Sequence, residues 1–116
     1  MHELSITDAI LKTVLDHAER ERAGRVHRIL LVVSELSDLQ PLWLQRYFNQ
    51  LAEGSIAEHA RLEIEAAAPE FVCNGCGRSF FLSLRGIDRV SCTECGSPDC
   101  TLVQKADYVV EEIEVS

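Results

Sequence analysis

The run VHRILLVV at residues 26–33, followed by SELSDLQP at 34–41, decides how this chain folds. Apart from His27 and Arg28, the first eight residues are β-branched or apolar, which reads as a buried central strand. SELSDLQP is then a turn, and Pro41 suits the first turn of a helix, where its missing N–H would have no partner anyway. That helix, Leu42 to Glu53, places Leu44, Phe48 and Leu51 on one face, with Gly54 as its C-cap. Upstream, residues 4–20 carry Ile6, Ala9, Ile10, Val14 and Ala18 at three- and four-residue spacing, the pattern of an amphipathic helix. Ser5 and Asp8 could form a capping box at its start, and Gly24 closes the helical region.

Downstream, RLEIE at 61–65 alternates like a half-buried strand, and YVVEEIEV at 108–115 predicts a third strand, acidic on one side. The fold class is therefore α+β: two helices on a small sheet of about three strands. A stretch of different composition, which contains every cysteine, interrupts it before the last strand. The expected organisation is an α/β domain of residues 1–70 plus 105–116 and an inserted, zinc-ribbon-like four-cysteine knob of residues 71–104. Internal repeats, low-complexity tracts and Pro-, Gly- or Ser-rich linkers are absent from the sequence.

With 116 residues, 47% of them hydrophobic, the chain can bury one core and a small metal-held insert. Eleven Lys and Arg against nineteen Asp and Glu give a formal charge of −8. Four thiolates on one Zn²⁺ would bring this to about −10. Nucleic-acid binders usually show a basic face, so none is expected here; metals, cationic ligands and basic protein surfaces are the natural partners. No apolar run is long enough to span a membrane and no secretory signal opens the chain, so the expected location is the cytoplasm.

Cys73-Asn-Gly-Cys76 and Cys92-Thr-Glu-Cys95, separated by fifteen residues, have the spacing of a zinc site. Each pair can sit on a tight turn that aims two sulfurs at one ion, with Gly75, Gly77 and Gly96 supplying backbone freedom. Four thiolates leave no open position for water or substrate, so the site is structural rather than catalytic. Its metal would supply much of the knob's folding free energy. Two disulfides, a redox couple, or iron in a rubredoxin-like site are the competing readings. Cys100, in SPDCTLV, reads as a small apolar filler at the start of a strand, or as a spare thiol able to exchange as a ligand.

The chain begins MHELS. The α-amine of Met1, the amide nitrogen of His2 and the His2 imidazole can all reach one ion, and the Glu3 amide nitrogen could fill a fourth position. Square-planar nitrogen donors suit Ni(II) or Cu(II). The partial positive charge of a helix start opposes a cation there; deprotonated amides and the Glu3 carboxylate would offset it. Binding would be pH-dependent, because the amine and imidazole must first lose protons. Alone, a second-position histidine is weak evidence and reads first as a solvated terminus. His17, His27 and His59 have no partner at ligand spacing.

MHELS at the start, the VVSELSDLQP turn, and the CNGC…CTEC knob before an acidic final strand together resemble the HypA/HybF family of hydrogenase-maturation nickel metallochaperones, across the whole chain. The resemblance implies a Ni(II) carrier with no catalytic residues, in which His2 is the main ligand, assisted by the Met1 amine and the Glu3 backbone nitrogen. Cys73, Cys76, Cys92 and Cys95 would hold structural Zn(II). It also implies delivery toward the large subunit of [NiFe]-hydrogenase with a GTPase partner, in some organisms also toward urease, by a monomer or weak homodimer. Two departures stand out. The family's Gly-Glu-Leu after the first strand is Ser34-Glu35-Leu36 here, and the turn carries Asp38 and Gln40, neither of which the sequence assigns as a carboxylate or further ligand. The alternative is a zinc-ribbon adaptor for protein interaction, whose terminal histidine is incidental.

Overall fold

A computed structural model describes residues 2–116. It consists of α1 (His2–Arg20), β1 (Val26–Ser34), α2 (Pro41–Leu51), β2 (Arg61–Ala67), β3 (Glu70–Cys73), β4 (Ser79–Phe81), β5 (Cys100–Leu102) and β6 (Tyr108–Val115). The strands form two three-stranded sheets, ordered β2-β1-β6 and β4-β3-β5. Two compact units result. The first comprises residues 1–33, 38–65 and 108–116; the second comprises 34–37 and 66–107.

In the first unit, Thr7, Ile10, Leu11, Val14 and Ala18 form the buried face of α1, and Leu44 and Phe48 that of α2. They meet Ile29, Leu31 and Val33 of β1 in one core. β1 is central, as expected, but only alternate residues are fully buried. The helices cover one face of the sheet. On the other, Arg28 binds Glu63, Glu112 and Glu114 at 2.7, 2.9 and 3.3 Å, which accounts for the acidic side of the last strand. β6 runs antiparallel to β1, pairing Val33 with Tyr108 and Val26 with Val115.

Three local expectations need correction. α1 starts at His2 rather than near residue 4, and the Ser5–Asp8 capping box is not made. Ser5 lies inside the helix, where its hydroxyl donates back to the His2 carbonyl at 3.1 Å, a bond that competes with a capping role. α2 ends at Leu51 with Ala52 as its C-cap; Gly54, at φ +81°, reverses the chain two residues later. β2 continues to Ala67.

The second unit is small. Phe71, Cys73, Phe80 and Cys92 are its buried residues, with Leu82, Leu84, Val90, Cys100 and Leu102 packed around them. β3 pairs antiparallel with both neighbours, matching Phe71 to Phe80 and Cys73 to Cys100.

Candidate metal centres

The two Cys-x-x-Cys turns in the second unit are built alike. Gly77 N–H donates to the Cys73 carbonyl at 2.8 Å, and Gly96 N–H to that of Cys92 at 2.9 Å. Both glycines lie at positive φ, +78° and +76°, where a side chain would be strained. Gly75 does not adopt such a φ. In each turn amide hydrogens point at the first sulfur: Cys76 N–H at Cys73 Sγ (3.4 Å), and Glu94 and Cys95 N–H at Cys92 Sγ (3.4 and 3.5 Å).

The four sulfurs lie within 4.8 Å of one another. Cys73 and Cys95 are 3.5 Å apart, and Cys76 and Cys92 are 3.7 Å apart. A tetrahedron with zinc–sulfur bonds of about 2.3 Å has edges of about 3.8 Å, so the sulfurs are spaced to hold zinc. All five cysteines are free thiols, and the two pairs are not disulfides. N–H donation from Cys76, then Gly75, pulls the Cys73 thiol down to about 6 against burial, favouring the thiolate that a metal requires. Cys92 is lowered in the same way by the N–H groups of Cys95 and Glu94. At Cys95 the Ser97 N–H also favours the thiolate. The adjoining Cys73, Cys92 and Cys76 thiols and burial outweigh it and push Cys95 up to about 12. Four thiols this close cannot all ionise without a cation among them. Cys100 stands outside this group. Its Sγ donates to the Ser97 carbonyl at 3.5 Å and its side chain packs on the unit's core.

In the first unit, His2 is the first residue of α1. First-turn N–H groups have no carbonyl acceptor within their own helix, so the His2 amide nitrogen is not committed to the ladder. His2 Nε2 lies 2.8 Å from Asp38 Oδ1. A carboxylate only accepts, so Nε2 carries the proton in this contact, and in the neutral imidazole Nδ1 keeps its lone pair. Nδ1 is also the ring nitrogen nearer the backbone, the one able to close a compact chelate ring with the His2 amide. The Glu3 carboxylate is held below the usual carboxylate range by its own N–H, with smaller help from His2 and the Gln40 N–H, against burial.

Sequence reasoning thus located the cysteine site, and the structure brings its four sulfurs together. His2 is brought to Asp38. Met1, the expected amine donor, lies outside the described residues. Among the described residues, the cysteines are the only group of three or more His, Cys, Asp or Glu side chains spaced to share an ion. A metal at His2 would therefore depend on backbone nitrogen. His17, His27 and His59 join no such group; His27 Nε2 instead meets Ser116 Oγ at 2.6 Å. Asp38 is the partner the sequence left unassigned. Its only signal was its place in the turn before Pro41.

Comparison with known proteins gives a consistent picture. The family described as "Hydrogenase/urease nickel incorporation, metallochaperone, hypA" matches residues 1–115. A hydrogenase maturation factor HypA of Pyrococcus horikoshii is 32% identical over 99% of this chain and 96% of its own length. One from Chlorobium limicola is 35% identical over 99% and 97%. Among solved structures, the nickel metallochaperone HypA of Helicobacter pylori superposes with a TM-score of 0.69 at 21% identity, covering 97% of this chain and 96% of that one. A second HypA solution structure gives 0.74 at 22%, covering 100% and 97%. At such identities the likeness establishes the fold.

Proposed function

The chain belongs to the HypA family of hydrogenase-maturation metallochaperones, which carry metal rather than catalyse a reaction; from that premise we propose that it carries Ni(II) at its amino terminus for insertion into [NiFe]-hydrogenase. The observation that carries this reading is the His2–Asp38 contact. A carboxylate on Nε2 fixes the imidazole tautomer and ring orientation with Nδ1 turned to the metal, the arrangement that recurs at metal-binding histidines. The donors would be His2 Nδ1, the His2 amide nitrogen, the Met1 amine and the Glu3 backbone nitrogen, which together suit square-planar Ni(II). Asp38 and the Glu3 carboxylate would offset the positive potential of the helix start.

Such a site can release its cargo. His2 is 45% exposed at its side chain and Asp38 81%, so an acceptor's ligands can approach while the chain still holds the ion. Delivery would be to the hydrogenase large subunit, with a GTPase partner, in the cytoplasm, where free thiols persist. Urease is a second candidate client, since the family description names both. Cys73, Cys76, Cys92 and Cys95 would hold resident Zn(II), which neutralises clustered thiolate charge and organises a unit with few buried side chains. The α/β domain is then the nickel-binding part and the four-cysteine unit the zinc-binding part.

The test is a Ni(II) titration of zinc-loaded, untagged protein beside His2→Ala and a variant with one alanine inserted between Met1 and His2. One site with a square-planar absorption spectrum, lost in both variants, is expected. Binding that survives both changes would leave a zinc-stabilised interaction adaptor as the better account.

A further inference from the structure

The chain as a whole is acidic, with a formal charge of −8, but one surface of the first unit is not. An open cleft of about 610 Å³ lies between α2 and residues 53–61, and a second of about 390 Å³ lies between residues 24–25 and 54–59. The two share Glu58 and His59 as a common wall. Arg46 and Arg61 line the first and Arg25 the second, so three arginines and His59 stand against two carboxylates, Glu53 and Glu58. Glu58 is partly occupied within the chain, because its carboxylate accepts from Gly54 N–H at 3.1 Å. Arg46 makes no ion pair among the described residues; its guanidinium lies over the Trp43 ring, 5.4 Å from the centroid. Arg61 meets Glu63 at 3.1 Å and is still 73% exposed.

The cleft walls are held by hydrogen bonds that do not use these charges. Leu62 N–H donates to the Gln45 side-chain carbonyl at 3.0 Å, and Val26 N–H to the Ile56 carbonyl at 2.9 Å. His59 holds φ at +69°, the left-handed region where glycine costs least. Its side chain is 78% exposed and comes no nearer to Glu58 than 3.9 Å, so neither packing nor a hydrogen bond among the described residues requires an imidazole there. Strain kept at a side chain with no structural task points to a task outside the chain. We propose that the two clefts form one trough that docks an extended, acidic segment of a partner protein, its carboxylates meeting Arg25, Arg46, Arg61 and His59. A small molecule would be held in a more enclosed and apolar pocket. Guanidinium–carboxylate pairs set the register of such a segment, and the amides of Asn49 and Gln50 can bond to its backbone. Charges are screened beyond about 8 Å at physiological ionic strength, so an approaching carboxylate responds to this surface rather than to the net charge of the chain. The inference does not depend on nickel.

The test uses full-length, zinc-loaded protein with an end-blocked hexaglutamate peptide as the probe, beside hexalysine and inorganic phosphate. Amide NMR shifts locate binding and their titration gives the affinity. Hexaglutamate should shift signals within residues 24–25 and 45–61, and raising ionic strength from about 0.15 M to about 0.5 M should weaken it. Arg46→Glu combined with Arg61→Glu should bind at least about tenfold less tightly, because like charges then face each other across the interface. His59→Gly removes the backbone strain together with the imidazole. Its thermal midpoint should be unchanged or higher while affinity falls about threefold, the scale of one exposed charged contact; a merely structural histidine would not separate the two. If the double variant fails to fold, Arg25→Glu, exposed and outside both α2 and β2, supplies the same decision. Shifts that are absent or lie elsewhere, or affinities unchanged in the variants, overturn the proposal. So does hexalysine binding at the same residues. Phosphate saturating the same signals as tightly as the peptide also overturns it, leaving a small-anion site instead.

Discussion

Replacing Asp38 tests the proposed site at the point where the structure is most specific. Its carboxylate holds the His2 ring through one hydrogen bond of 2.8 Å. Carboxylates that orient a ligating histidine typically change metal affinity by about 10- to 100-fold when removed. Here the pair is exposed, 45% at His2 and 81% at Asp38, and solvent weakens exposed charged contacts to about 1 kcal/mol or less. The loss for Asp38→Ala is therefore expected at the lower end, about tenfold, or about 1.4 kcal/mol. Asn at this position can still accept from Nε2–H but without charge assistance, so Asp38→Asn should lose about threefold. The assay is competition for Ni(II) against a chelator of known affinity at fixed pH and salt, with zinc content checked in each sample. An affinity unchanged in both variants would refute the idea that Asp38 orients His2. A loss far above about 100-fold would mean that Asp38 binds nickel directly.

Stripping the cysteine-held metal with a chelator should collapse the amide NMR dispersion of residues 66–107 while residues 2–33 keep theirs, because only the second unit lacks a substantial core of its own; equal loss in both would refute separate folding. Phe48→Ala, which empties a side-chain site with no solvent exposure in the first unit, should destabilise that unit by about 3–5 kcal/mol in urea titration; a change below about 1 kcal/mol would show that the core refills the space. Glu3 gives a pH prediction. Its carboxyl lies below 4.5 in the folded chain, so its stabilising contribution is full above 4.5 and fades as pH falls through the lowered value. Carboxyl NMR titration should give a Glu3 midpoint under 4.5, and a midpoint at or above it would contradict the contacts to its own and the Gln40 N–H groups.

Much of this protein was legible residue by residue, since helix and strand periods are written within a few positions of one another. The runs 26–33 and 108–115, the amphipathic spacing from Ile6 to Ala18 and the two Cys-x-x-Cys turns each state their conformation or chemistry locally. Helix ends were less legible. Ser5 has the composition of a cap, but its hydroxyl found the His2 carbonyl once the helix began earlier. No periodicity could show that Asp38 meets His2 across 36 positions, or that Glu35 meets Ser83 across 48. Nor could it show that Arg28 gathers carboxylates from both neighbouring strands. Such pairs leave no local trace, because an exposed carboxylate is equally well solvated anywhere on a surface. The sequence by itself determined which residues could bind metal and which segments could be helix or strand. Only the tertiary structure decided that residues 34–37 join the cysteine-bearing unit and that Asp38 stands beside His2, because both depend on where packed elements bring distant backbone together.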